Sequence, residues 1–177
     1  MKKHLFILPL VLVVCFMVGC QDKEAMAELE EFKAQAALEE ENKALVMRFF
    51  DVWESGDFED IKEILSPDYV WHTTTGQDLS LEVTIETLKQ QIAMISDRAF
   101  SIEDIIPKGD KVLARYAFSG THTGDAEGFP ATGKEFVIKG IEIVRIENGK
   151  IVEAWEEVNF LNFYQQIGYE LKPKEEK

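Results

Sequence analysis

The sequence predicts an α+β fold, with helices in the N-terminal half and a curved antiparallel sheet after them. Three observations lead there. Residues 20–55 contain neither Gly nor Pro and are rich in Ala and Glu, the composition of one long helix. Apolar spacing stays helical through residues 81–96 and then changes to a period of two between Phe100 and Val158. The 177 residues, 46% of them hydrophobic, suit one domain of ordinary size and not two.

Lys and Arg total 19 against 33 Asp and Glu, a net charge of −14. That balance excludes a nucleic-acid partner, which needs a basic face, and electrostatic docking onto anionic lipid. Attachment to a membrane would need a covalent anchor, and the N-terminus offers one. Lys2 and Lys3 precede an apolar run, residues 5–19, broken only by Pro9. Spanning a bilayer takes about 20 apolar residues, so the run reads as a signal peptide, residues 1–19. It ends in Met17-Val18-Gly19-Cys20, followed by Gln21 and Asp22, and resembles a bacterial lipobox with Met17 where Leu is more usual. The expectation is lipidation at Cys20 and an extracytoplasmic protein anchored to a bacterial membrane; the alternative is an uncleaved signal anchor with an incidental cysteine. Residues 20–177 number 158, carry a net charge of −16 and hold Cys20 as their only cysteine, so no internal disulfide is available.

The long helix should run over about residues 24–53. Its first half shows only a thin apolar stripe (Met26, Leu29, Phe32), so residues 20–43 read as a solvated stalk. Leu45, Val46, Phe49, Phe50 and Trp53 thicken that stripe where the domain, residues 44–168, begins. Gly56-Asp57 should end the helix and start another, with Asp57 capping residues 58–65. Ser66-Pro67-Asp68 should stop that one before a short strand at 69–73. A helix at 81–96, strands at 100–107, 111–123, 134–146 and 151–158, and a short helix at 160–167 complete the domain. The charged residues 169–177 read as a disordered tail.

The turn between the last two strands carries the chemistry. Glu147-Asn148-Gly149 suits a three-residue hairpin with Gly149 in the left-handed position, which pairs Glu142 with Ala154, Gly140 with Glu156 and Lys139 with Glu157. One face then reads Phe136, Ile138, Gly140, Glu142, Val144 against Val152, Ala154, Glu156, Val158, with two carboxyl groups as diagonal neighbours on an apolar surface. A two-residue turn would separate them onto opposite faces. Burial and mutual repulsion should raise the pKa of such a pair into the range of a general acid or base near neutral pH. Gly140 should leave room for a ligand to approach. The competing reading is that both glutamates bond to Arg, Tyr or backbone donors and do no chemistry. The opposite face (Val137, Ile141, Ile143, Ile151, Trp155) is also apolar, which suggests a second subunit, a homodimer or higher homo-oligomer.

His122, in Gly-Thr-His-Thr-Gly on the strand face of Tyr116 and Phe118, and His72, after Trp71, are candidates to pair with a buried glutamate. Satisfied structural groups are the alternative for both. A metal site would need both histidines with Glu142 or Glu156, and no close ligand pair in the sequence supports one. Residues 128–134 fit G-x-x-x-x-G-K, but Glu135 stands where a magnesium-binding hydroxyl belongs and a strand follows, so they are not a P-loop.

The stretches GTHTGDAEGFPATGKEF (120–136), IEIVRIENGKIVEAWEEVNF (141–160), YQQIG (164–168) and SPDYVWHTTTG (66–76) resemble SnoaL-like polyketide cyclases, also called ester cyclases. The likeness covers residues 41–168. It implies an NTF2-like cone, a curved antiparallel sheet wrapped by N-terminal helices around a pocket. It also implies ring closure by intramolecular aldol condensation without metal or cofactor. The family's catalytic aspartate corresponds to Glu156, its assisting histidine and glutamine to Glu142 and Gly140, and the aspartate after its last strand to Asn159. Glu for Asp keeps the carboxyl group but moves it by about one methylene, and loss of His and Gln removes partners of a substrate enolate.

Taken together, the expectation is a membrane-anchored protein doing cofactor-free acid/base chemistry on a small hydrophobic carbonyl compound. Glu156 would be the acid/base, Glu142 its electrostatic partner, His72 and His122 the polar groups of the pocket, and Trp71, Tyr116, Phe118, Phe136 and Gly140 its walls. The alternative is a non-catalytic module binding a small apolar ligand at the membrane surface, and a weaker third reading is a structural subunit pairing through the outer sheet face.

Overall fold

The structure, a computed structural model, describes residues 7–125, 130–170 and 172, with side chains from residue 23 onward. The side chain of Cys20, most of the expected tail and part of the G-x-x-x-x-G-K segment therefore lie outside the described residues. Helix α1 spans Ile7–Ser55. The chain divides into two compact units, Met1–Leu38 and Glu39–Lys177. In the first, every described side chain is exposed, Met26, Leu29 and Phe32 included. Among the described residues no helix is long and apolar enough to cross a membrane.

The second unit is the α+β domain. It contains α2 (Ile61–Ile64), β1 (Leu65–His72), β2 (Asp78–Ser80), α3 (Leu81–Ala93), β3 (Ile95–Lys108), β4 (Lys111–His122), β5 (Glu135–Glu147), β6 (Lys150–Val158) and α4 (Phe160–Ile167). The six strands form one curved, unclosed sheet in the order β2-β1-β6-β5-β4-β3, antiparallel except where β1 lies parallel to β6. Val46, Phe49 and Phe50, spaced as one helical face, bury the end of α1 in the core. Asn42 Nδ2 donates to Gly109 O and Gly109 N donates to Glu39 Oε1, both at 2.9 Å, tying that helix to the β3–β4 turn where the unit begins. Arg98 stitches two helix ends together. Its guanidinium donates to the carbonyls of Glu54 and Ser55 at the end of α1, groups that a helix end leaves unpaired, and to those of Ile92 in the last turn of α3 and Ile95 at the start of β3.

The strands from β4 to β6, helix α4, the long helix expected over 24–53 and the start of α3 lie where the pattern puts them; residues 58–73 and the α3–β3 boundary differ. The helix expected over 58–65 is one turn, because the Asp57 carboxylate accepts the Glu59 amide and Leu65 is already extended, paired with Ile151 of β6. The turn expected at Ser66-Pro67-Asp68 is an irregular stretch of β1. Helix α3 stops at Ala93, since Ile95 and Ser96 join the sheet opposite His122 and Thr121.

The β5–β6 register is the main correction. The turn has two residues, Asn148 and Gly149, both at positive φ (52° and 73°), flanked by Glu147 paired with Lys150. A plain hairpin of that kind would pair Glu142 with Trp155. Instead Ile146 pairs with Ile151 and Arg145 with Glu153, so Val152 is an extra residue, a β-bulge that restores the parity. Glu142 then sits directly opposite Glu156, and Gly140 opposite Val158. The inner face of β6 is Ile151, Ala154, Glu156 and Val158; Val152 leaves it and Ile151, expected outside, is buried. Lys139 binds Glu103 Oε1 at 2.6 Å, not Glu157. On the outer face Val137 and Ile141 are exposed, while Trp155 is partly covered by the stacked His72 ring.

Candidate functional site

A cavity of about 200 Å³ lies between the concave face of the sheet and the helices. Its wall is mostly aromatic: Phe49, Phe50 and Trp53 come from α1, Phe100, Phe118 and Phe136 from the sheet, and Phe160, Phe163 and Tyr164 from α4. Helix α4 is held in place by its ends and one side chain. Asn159 Oδ1 caps the Asn162 amide, Gly168 closes the helix at φ +98°, and the Gln166 amide both accepts from Val137 N and donates to Val137 O.

Within this wall stand Glu142 and Glu156, side by side on β5 and β6. Glu142 is buried, 5% exposed, and among the described residues no donor bonds its carboxyl group. Burial first, and the Glu156 charge second, hold its pKa well above the ordinary carboxyl value. Glu156 is partly buried and accepts a hydrogen bond from the Tyr116 hydroxyl. Burial pushes its pKa up to about 7, against the lowering effect of that hydrogen bond. Of the two, Glu156 is the member with a donor to steady a charge. Burial first, and the neighbouring Glu142 and Glu156 after it, raise the phenols of Tyr116 and Tyr69 above their ordinary range, so both remain donors.

Gly140 explains how Tyr116 reaches across a strand. Tyr116 pairs with Gly140, and a Cβ at 140 would lie 2.5 Å from both Cζ and Oη of the tyrosine. The space expected to admit a ligand is filled by the chain's own phenol, lying over β5 toward Glu156. The backbone of Glu156 is held from the other side. The β1–β6 ladder ends at His72 opposite Trp155, and beyond it Thr74 Oγ1 donates to Glu156 O at 3.0 Å and accepts from Val158 N at 3.4 Å.

Trp71, Tyr116, Phe118 and Phe136 line the cavity; the two histidines do not. His72 alternates with Trp71 onto the outer face, where Nδ1 lies 2.7 Å from Asp78 Oδ1 and the ring stacks on Trp155. His122 is on the inner face but buried beyond the cavity, with Nδ1 3.2 Å from Thr132 Oγ1. Neither meets the carboxyl pair. Tyr69 and Thr74 were not singled out by sequence reasoning. Tyr69 had a signal, since it shares a strand face with Trp71, whereas Thr74 acts through a loop contact that no pattern announces. Among the described residues no group of three His, Cys, Asp or Glu is placed to hold a metal ion.

A curved α+β cone around an aromatic cavity, with an acid pair on neighbouring strands, defines a small-ligand protein of the NTF2-like class. Residues 43–167 match the SnoaL-like polyketide cyclase family, and the chain belongs to it. It is 28% identical over 130 residues to the aklanonic acid methyl ester cyclase DnrD of Streptomyces peucetius, covering 70% of this chain and 88% of that one. Among solved structures, TsrD from Streptomyces laurentii superposes with a TM-score of 0.65 at 26% identity, covering 72% of this chain and 95% of that one. IdmH from Streptomyces antibioticus does so with a TM-score of 0.66 at 26% identity, covering 72% and 99%. Membership supports a function of the cyclase or isomerase type on a small hydrophobic compound.

Proposed function

We propose that the chain catalyses cofactor-free acid/base chemistry, aldol-like ring closure or isomerisation, on a small hydrophobic carbonyl compound. The observation that carries this is the pairing of Glu142 with Glu156 inside an aromatic cavity, both with pKa values raised by burial. The Glu156 carboxylate takes the proton from the carbon next to a carbonyl group, while the Glu142 carboxyl protonates the carbonyl oxygen. The resulting enol attacks a second carbonyl carbon of the same molecule. Its O–H proton returns to Glu142, and the new alkoxide takes the proton held by Glu156. One carbon–carbon bond forms and both groups end as they began. Tyr116 and Thr74 position Glu156 in this scheme.

The chemistry can be tested before the substrate is known. Acetophenone has one ring and exchangeable α-protons, and its size suits a cavity somewhat larger than the 150 Å³ void that holds benzene. In D2O the full chain should incorporate deuterium into the methyl group faster than buffer alone, with a rate rising through about pH 7 as Glu156 ionises. No exchange above the buffer rate between pH 5 and 9 would overturn the reading, and ligand binding without exchange would leave the binding module in its place.

We further propose that the chain is lipid-anchored at Cys20, supported by the apolar run at 5–19 and the Gly19-Cys20 junction. Cys20→Ser should move the protein to the soluble fraction and abolish lipid labelling; unchanged membrane fractionation of the variant contradicts the anchor.

A further inference from the structure

We infer that the cavity also takes an organic cation, an apolar ligand ending in a protonated amine that pairs with Glu142 and Glu156. The inference goes beyond the carbonyl chemistry above and concerns which ligands the same cavity selects. It begins from where the chain puts its own cations. On the outer face, Glu103 is paired with Arg115 and Lys139, Asp104 with Arg115, and Glu153 with Arg145. Inside, the residues that line the cavity include two carboxyl groups and no Lys, Arg or His among those described.

The two inner groups are short of partners as well as of counter-charge. Glu142 is more than nine-tenths buried and receives no hydrogen bond among the described residues. Glu156 has only the neutral Tyr116 hydroxyl. A carboxylate buried without a counter-ion is costly, and a neutral carbonyl ligand relieves only the protonated member of the pair. An ammonium group has three donors and a positive charge, and it can satisfy both. Twelve of the residues lining the cavity are Phe, Tyr or Trp, the wall that receives an alkyl or aromatic ammonium elsewhere through its π faces. The net charge of −14 favours approach of cations and disfavours anions. The other titratable groups that line the cavity are phenols: Tyr69 from β1, Tyr116 from β4 and Tyr164 from α4; Glu157 follows Glu156 on β6, and α1 and α3 bring no charged group to the cavity.

One ring carrying three different end groups separates the possibilities. Phenethylamine, phenethyl alcohol and hydrocinnamate should be titrated into the full chain by calorimetry at pH 8 and pH 5. At pH 8 the amine should bind at least about tenfold tighter than the alcohol, and hydrocinnamate at least about tenfold weaker than it, the size expected of a desolvated charge pair. At pH 5 the carboxyl groups hold their protons, and the amine's advantage should shrink toward parity. Near pH 7 amine binding should release protons, seen as a dependence of the heat on the ionisation enthalpy of the buffer. Glu142→Gln and Glu156→Gln should each erase most of the preference, and the pH comparison on wild type covers the case in which a variant fails to fold. An amine no tighter than the alcohol at pH 8, an advantage that persists at pH 5, or no binding by any of the three overturns the inference. Persisting acetophenone exchange with no amine preference would sink this inference alone; amine preference without exchange would sink the carbonyl reading alone.

Discussion

Glu156→Gln is expected to slow acetophenone exchange by about 100-fold or more while the folded domain persists, the usual scale for removing a positioned base. The same variant should change how stability depends on pH. The Glu156 pKa is about 7 in the folded protein against an ordinary 4.5, because burial disfavours its charge. A carboxyl group raised on folding leaves the fold unpenalised below its unfolded value. Stability is then lost as pH climbs from 4.5 to about 7, and the loss is constant above that. Each pH unit in that window is worth about 1.4 kcal/mol, so the penalty at pH 8 is on the order of 3 kcal/mol. Wild type should therefore gain stability as pH falls from 8 to 5. The Gln variant should be the more stable protein at pH 8 and should gain less on acidification. Thermal unfolding across that range measures both curves, and superimposable curves would mean that Glu156 is solvated or already paired.

Gly140→Ala should damage both the fold and the acid pair. Its Cβ would stand 2.5 Å from the Tyr116 ring and hydroxyl, and the ring has no easy retreat, with the centroids of Phe50 and Phe100 each 5.5 Å away. Forcing an atom into such a core costs about 1–3 kcal/mol, and losing a hydrogen bond to a carboxylate adds a comparable amount. The second effect has a sign of its own. The Tyr116 hydroxyl lowers the Glu156 pKa, so displacing it should raise the pH at which exchange reaches half its maximum. Tyr116→Phe should give the same pH displacement with less loss of stability. A Gly140→Ala protein that unfolds within about 0.5 kcal/mol of wild type, with an unmoved pH profile, would show that the phenol does not lie over that glycine.

Periodicity made the long sheet strands and α4 legible, because each has one face against the core and one away from it. Where a tertiary contact decides, the sequence was mute. Leu65 leaves a helical setting because Ile151 offers it a strand partner, and the short β2 exists only as the partner of β1. The acid pair was readable as a pair, but its register was not. Asn148-Gly149 signals a two-residue turn, whereas the compensating bulge appears only once burial steps from Ile151 to Ala154. The histidines show the converse. Alternation assigns each to a strand face, yet it cannot say that His72 faces outward beside Asp78 or that His122 lies past the end of the cavity.

The bulge at Val152 also bears on how this hairpin can change length. Between the turn and Glu156 the second strand holds one residue more than the ladder requires. A deletion anywhere in that interval can be absorbed by straightening the bulge, and Glu142 still meets Glu156. An insertion has no such slack to draw on: without a second bulge it would bring Trp155 opposite Glu142 and turn the Glu156 carboxyl outward. The strand can thus grow shorter by one and keep its acid pair, while growing longer by one would leave Glu142 alone among aromatic rings.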